Sequence, residues 1–275
     1  SCQYFFKGKN MGRKGGGITR KEFITRSTGG VIGIGMGGLS SDGMAQTAAN
    51  PKIEFRKLGK TGLTVSAIGV GMSRTNEPSV LKRCLDLGLT YIDTGRMYSE
   101  GKNEEMVGAV IQSIRKSLVL QTKIDQKLMG NRAAMEKSID DSLKSLRTDF
   151  IDVMLVRGAT DEQFVNDPIL MEVFRKAKES GKIRFCGFSS HAATADEVLS
   201  AGVKTGFYDI AMIPYNHAGN FTHSVYGIYS EWDQAAKEKA IAAAAAAGMA
   251  VLAMKTCSGG PRREQGEEKL SFRSA

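Results

Sequence analysis

The chain has 275 residues, with 38 lysines and arginines against 29 aspartates and glutamates, a formal charge of +9. Lys7, Lys9, Arg13, Lys14, Arg20, Lys21 and Arg26 face Glu22 alone in the first 30 positions, so the rest of the chain carries only +3 and no nucleic-acid partner is indicated. Cys2, Cys84, Cys186 and Cys257 have no CxxC spacing, which leaves no signature for zinc or an iron–sulfur cluster, and no metal site is expected.

Residues 1–50 read as a disordered leader outside the fold, and residues 51–275 as one folded domain. A basic start from Met11 is followed by an uncharged stretch, Ser27–Ser41, and by small residues ending in Thr47-Ala48-Ala49. That order describes an export signal. The stretch is too short and too glycine-rich for a stable membrane span. Residues 1–10 are expected to precede the natural start at Met11.

From Ile53 the pattern changes. Ile53–Leu58 and Leu63–Ser66 flank Gly59-Lys60-Thr61-Gly62, a β-hairpin signal. Strands and helices then alternate. Strands are predicted at Ala67–Val70, Thr90–Asp93, Leu118–Lys123, Ile151–Val156, Ile183–Phe188, Tyr208–Ile213 and Ala250–Met254. Helical periodicity lies between them, most clearly over Arg132–Arg147, where Met135, Ile139, Leu143 and Leu146 recur at helical spacing. Seven such units predict an α/β fold: a (β/α)₈ TIM barrel, preceded by a hairpin and incomplete at its C-terminal end. An open doubly wound sheet is the rival, but Gly69-Val70-Gly71 lacks the third glycine of a dinucleotide fingerprint and does not lead straight into a helix. An opened barrel would leave two strand edges unpaired, so a longer parent chain is expected.

Ligands in such sheets sit at the carboxyl ends of the strands. Three successive strand ends offer Asp93, Lys123 and Arg157, and Tyr98 follows Asp93 by five residues. An acid, an amine, a guanidinium and a phenol at one mouth can support proton donation to an oxygen that gains negative charge. A neighbouring ammonium favours the phenolate, and Asp93 can hold Lys123 by an ion pair. Arg157 stays charged at any working pH, so it donates hydrogen bonds to a carbonyl oxygen or pairs with a substrate carboxylate. His191 and His217 read as loop residues.

The body resembles the aldo-keto reductases. The likeness is carried by Leu58-Gly59-Lys60-Thr61-Gly62-Leu63-Thr64-Val65-Ser66, Ile68-Gly69-Val70-Gly71, Tyr91-Ile92-Asp93-Thr94, Tyr98-Ser99-Glu100 and Gln121-Thr122-Lys123. It continues through Gly187-Phe188-Ser189-Ser190-His191, Tyr215-Asn216 and Met254-Lys255-Thr256. The leader resembles a twin-arginine signal, with Arg20-Lys21 in place of the arginine pair, as in bacterial members that are exported to the periplasm by the twin-arginine machinery. The resemblance implies reduction of a small-molecule aldehyde or ketone by hydride from NADPH, with NADH as the other candidate. It implies a tetrad of which Asp93, Tyr98 and Lys123 are three members, with Arg157 where the family has histidine. It also places Gly69 and Met72 near the nicotinamide ribose, Ser189 and Ser190 at the carboxamide, and Lys255 and Thr256 towards the pyrophosphate. Met212 stands where many members carry a glutamine, and a thioether packs but hardly hydrogen-bonds. Two other functions suit the same residues: a Schiff-base aldolase using Lys123, and a nicotinamide-nucleotide-binding barrel without turnover.

Overall fold

The computed structural model describes residues 2–5, 53–222 and 229–256. The leader pattern from Met11 to Ala49 and the charged stretch from Gly259 lie outside the described residues. A hairpin of β2 (Phe55–Lys57) and β3 (Thr64–Ser66) leads into the barrel. Its parallel strands are β4 (Ile68–Gly71), β5 (Tyr91–Asp93), β6 (Val119–Ile124), β7 (Ile151–Arg157), β8 (Ile183–Ser189), β9 (Ile210–Pro214) and β12 (Ala250–Met254). A small hairpin of β10 (Asn220–Thr222) and β11 (Tyr229–Glu231) follows β9. Seven parallel strands match the expectation.

Closure does not. An eighth strand, β1 (Cys2–Phe5), runs antiparallel between β12 and β4 and completes the barrel. The sequence reading had placed these residues in the leader, because four residues are too few to show an alternation. The physical reason for the strand is the one that made an open barrel costly. The edges of β4 and β12 present rows of peptide groups, and an extended segment of either direction satisfies them.

The helices are α1 (Pro78–Asp86), α2 (Lys102–Ile111), α3 (Arg132–Leu146), the single turn α4 (Glu162–Val165), α5 (Pro168–Glu179), α6 (Ala195–Thr205) and α7 (Gln234–Ala246). The starts of α3, α5 and α7 follow from capping chemistry. Asn131, Asp167 and Asp233 accept from the backbone N–H of Ala134, Leu170 and Ala236 at 3.0, 2.7 and 3.0 Å. Pro168 fills the first position of α5, where a missing N–H costs nothing. Turn α4, capped by Asp161, and the β10–β11 hairpin were not expected, since three- and four-residue elements leave no period to read.

Strand alternation divides the core in two. Ile92, Leu120, Met154, Val156, Phe188, Ala211, Ile213 and Val251 face outward and pack under Leu81, Val107, Ile139, Leu170, Phe174 and Leu199 of the helices. Tyr91, Val119, Val153, Leu155, Ile210, Met212, Leu252 and Met254 fill the barrel, joined by Leu58 and Val65 from the first hairpin. That hairpin plugs the N-terminal end: Lys60 N–H bonds the Gly248 carbonyl at 2.8 Å, and a Cβ on Gly59 would lie 2.6 Å from the Ala250 nitrogen. The opposite mouth stays open. Among the described residues, no helix is long and apolar enough to cross a membrane.

One buried charge stands apart. Lys237 on α7 is fully buried, its ammonium 3.8 Å from the centroid of the Trp232 ring, with no hydrogen-bond partner among the described residues. Burial lowers its pKa to about 8, against a smaller opposing pull from Asp196. Above about 8 the folded chain has released a proton that the unfolded chain keeps up to ~10.4, so this residue makes stability rise with pH across that window. Lys237→Met is therefore expected to be more stable at pH 7 by on the order of 1 kcal/mol and to lose that rise. Urea denaturation at pH 7 and pH 9.5 reads both; a less stable methionine variant at pH 7 would show that the contact with Trp232 outweighs the cost of burial.

Candidate active site

The alternation that fills the barrel with apolar side chains ends, at the carboxyl end, in polar ones. Tyr91 and Asp93 point inward from β5, Val119, Gln121 and Lys123 from β6, and Val153, Leu155 and Arg157 from β7. Asp93, Lys123, Arg157 and Ser189 line one cleft together with Tyr98, Ser73, His191, Met212 and Met254. All four predicted catalytic side chains thus meet at the mouth.

Lys123 is 3% exposed and Asp93 is 4% exposed, so this is a buried ion pair. The Lys123 ammonium bonds Asp93 Oδ1 and also donates to the Thr94 carbonyl at 2.7 Å. The same Oδ1 accepts from Gln121 Nε2 at 2.5 Å, and Gln121 Oε1 accepts from the Tyr91 hydroxyl at 2.6 Å. Burial, with Asp93 and Asp152 adding to it, holds the Tyr91 pKa well above the usual phenol value, so Tyr91 remains a donor and fixes the orientation of Gln121. For Lys123, burial pulls the pKa down, but Asp93 and then Tyr98 more than offset it, and the net direction is up. Its ammonium lies 5.1 Å from the centroid of the Tyr98 ring.

Tyr98 is held by an unusual turn. Ser99 and Glu100 both have positive φ, 49° and 56°, and Gly101 follows at 89°. Left-handed non-glycine residues cost about 1–2 kcal/mol each, so the surroundings must enforce the turn. A Cβ on Gly101 would lie 2.5 Å from Arg96 Nη2. Arg96 in turn donates to Glu104 and Ser145 at 2.8 Å each, and fully buried Glu104 accepts from Thr122 of β6 at 2.6 Å. Asn103, at the start of α2, accepts from Thr94 at 2.6 Å and donates to the carbonyls of Met72 and Thr75 at 3.0 and 2.9 Å. The loops after β4 and β5 are thereby tied to one helix start.

Arg157 ends β7, one residue beyond the predicted strand, beside Ser189 in the ladder. Gly158 has φ 82°, and a Cβ there would overlap Gln126 Oε1 at 1.4 Å, so the turn that releases the chain after Arg157 requires glycine. Ser189 is 1% exposed, and its hydroxyl has no hydrogen-bond partner among the described residues. The Ser190 hydroxyl accepts from Ala192 N–H at 3.2 Å. Lys255 follows β12 with φ 61°, its carbonyl bonded by Asn216 at 3.0 Å, and its ammonium lies 5.6 Å from the Phe221 ring. Burial lowers the Lys255 pKa, and repulsion from Arg74 and Arg157 lowers it further. Gly69 and Met72 do not line the cleft; Gly69 lies within β4, and the Met72 side chain is fully buried in the outer core. His191 does line it, although the sequence suggested only a loop position. Among the described residues, no three His, Cys, Asp or Glu side chains are grouped to hold a metal ion.

The model of the aldo/keto reductase family matches residues 62–274. The chain belongs to that family. Relatives include an uncharacterized oxidoreductase, YqkF, of Bacillus subtilis, 36% identical over 149 residues, a match covering 49% of this chain and 48% of the relative. L-galactose dehydrogenase of Arabidopsis thaliana is 29% identical over 188 residues, covering 61% of this chain and 58% of the relative. Among solved structures, the holo form of an aldo-keto reductase from Bacillus halodurans superposes with a TM-score of 0.55 at 26% identity, covering 73% of this chain and 65% of that one. One from Klebsiella pneumoniae in complex with NADPH gives 0.50 at 28%, covering 63% and 61%. The chain of this family member spans about half the length of the relatives it matches.

Removing the anion from the buried pair is the sharpest test of the site's architecture. Asp93→Asn leaves Lys123 buried without its counter-charge, and a loss of about 3–5 kcal/mol in unfolding free energy is expected. Urea denaturation near pH 7 measures it; a loss below about 1 kcal/mol, the range of an exposed pair, would show that water reaches Lys123.

Proposed function

We propose that this chain carries the active site of an NAD(P)H-dependent reductase of aldehydes and ketones. The observation that carries this reading is the trio at the cleft: a phenol on a clamped turn, an ammonium 5.1 Å from its ring, and a buried carboxylate holding that ammonium. The names of the relatives and the NADPH-bound neighbour support it. The cleft also suits a nicotinamide. The buried Ser189 hydroxyl, without a partner among the described residues, is the kind of group a carboxamide satisfies, and Met212 and Met254 offer an apolar wall beside it. Ser190 would adjoin the carboxamide. Gly69 and Met72 would act through backbone position, and Lys255 and Thr256 would approach the phosphates. We take NADPH as the cofactor and NADH as the competitor to assay against it.

Reduced nicotinamide, when bound, supplies an electron pair and a hydrogen to the carbonyl carbon. The remaining work falls to the protein. The Tyr98 hydroxyl donates its proton to the carbonyl oxygen, which becomes the alcohol, and solvent later restores that proton. Lys123 stabilises the phenolate left behind, because a fixed ammonium needs no reorganisation when the charge appears. Asp93 keeps Lys123 charged and aimed. A Schiff-base aldolase would need a neutral amine at neutral pH; the raised pKa of Lys123 favours the reductase.

Tyr98→Phe should lower kcat by at least ~10²-fold, the range of a lost general acid, while NADPH still quenches protein fluorescence on binding. Consumption of NADPH at the wild-type rate by this variant would sink the assignment. NADPH binding by the wild-type chain with no turnover of any aldehyde or ketone would favour the binding-only alternative.

Residues 11–49 support a second, separate proposal, export to the periplasm by the twin-arginine route, resting on their sequence pattern alone. Replacing Arg20 and Lys21 with alanine should then retain the protein in the cytoplasm on cell fractionation. An unchanged distribution would remove the proposal.

A further inference from the structure

Four basic residues packed around the barrel have carboxylate partners. Arg96 pairs with Glu104, Arg115 with Asp152, Lys123 with Asp93 and Lys178 with Asp209. Arg157 does not. It is half-buried, lines the cleft, and among the described residues no carboxylate or carbonyl accepts from its guanidinium. Arg74 stands on the loop after β4, next to Ser73 of the cleft wall, and is likewise unpaired among the described residues. Both lie close enough to Lys255 for their repulsion to act on it. Cations at one mouth create a positive potential, strongest at half-buried Arg157, that an anionic ligand would relieve.

We propose that Arg157 anchors a carboxylate subsite in the cleft, and that the carbonyl compound reduced here bears a carboxylate one or two carbons from the reacting carbonyl. This rests on the reductase reading above. A guanidinium meets a carboxylate through two parallel N–H···O bonds, which fixes orientation as well as charge. Arg157 shares the cleft with Tyr98 and Lys123, so an anion seated on it belongs to the molecule whose carbonyl faces Tyr98. The phosphates of a dinucleotide are separated from its nicotinamide ring by a ribose and would fall further out, nearer Lys255. The reaction balances as for any carbonyl: the oxo acid gains the hydride at carbon and the Tyr98 proton at oxygen, NADPH becomes NADP⁺, and the carboxylate is unchanged.

Glyoxylate and methylglyoxal make a matched pair of probes, similar in size and differing in charge. With the full 275-residue chain, kcat/KM should favour glyoxylate by about tenfold or more, in line with a charge-assisted hydrogen bond. Arg157→Gln should reduce that ratio about tenfold or more, Arg157→Lys should restore part of it, and Arg74→Gln, at an exposed position, should reduce it less. Calorimetry of oxamate on the NADP⁺-saturated protein should show binding in the wild type and none in Arg157→Gln. An unchanged ratio in Arg157→Gln, or oxamate binding that ignores the substitution, overturns the proposal. Weakened NADP⁺ binding with an unchanged ratio would assign the arginines to the cofactor phosphates and overturn it too. Should the wild type reduce neither compound, the reductase reading fails on these probes, and the oxamate measurement still decides the subsite.

Discussion

A full positive charge on the floor of the cleft is the constraint from which the rest of the site follows. An ammonium with 3% exposure is strongly disfavoured unless a counter-charge and hydrogen-bond acceptors surround it. Asp93 supplies the charge, and the Thr94 carbonyl supplies an acceptor. Asp93 then needs its own donors, and Gln121 and Tyr91 extend the chain of bonds into the barrel interior. A half-satisfied network at this depth would cost more than an apolar core of the same shape. The polar interior is therefore a connected set, and altering one member exposes the others.

The same constraint explains why Tyr98 can sit on a strained turn. The strain of Ser99 and Glu100 persists because Arg96, Glu104 and Thr122 form a second buried network on the outer side of β6, one residue out of phase with Lys123. Lys123 faces in and Thr122 faces out, so a single strand anchors the ammonium and the clamp on the phenol together. Register on β6 thus fixes the distance between the two groups. A one-residue slip would exchange the two faces and dismantle both networks.

Much of this was legible in the sequence, for identifiable reasons. Asp93, Lys123 and Arg157 stood out because each ends an apolar run with a charge, which only a strand end at a ligand face readily accommodates. Gln121 carried the same signal, a polar residue within an inward apolar alternation, and Met254 could have been found by following Ala250 and Leu252 two residues further. The Arg96–Glu104 clamp left no such trace, since an arginine and a glutamate eight residues apart across a turn look like ordinary surface residues. Closure by Cys2–Phe5 was hidden for a different reason. The partners of that strand, Ile68–Val70 and Leu252–Ala253, are distant in sequence, and pairing with an open edge depends on the edge more than on the segment that fills it.

Arginine at the fourth position changes the character of the site more than its shape. A histidine there can gain or lose a proton near neutrality, whereas a guanidinium keeps its charge throughout the working range. The field at the cleft is then set by Lys123 and Arg157 against Asp93. Excess positive charge of this kind stabilises any oxygen that becomes negative, in the substrate or in the phenolate, and it does so before the substrate arrives. It also repels the neighbouring cation Lys255, whose pKa is lowered by burial and by Arg74 and Arg157. A cleft with such a charge pattern attracts anions, through electrostatics built into the strand ends of the barrel.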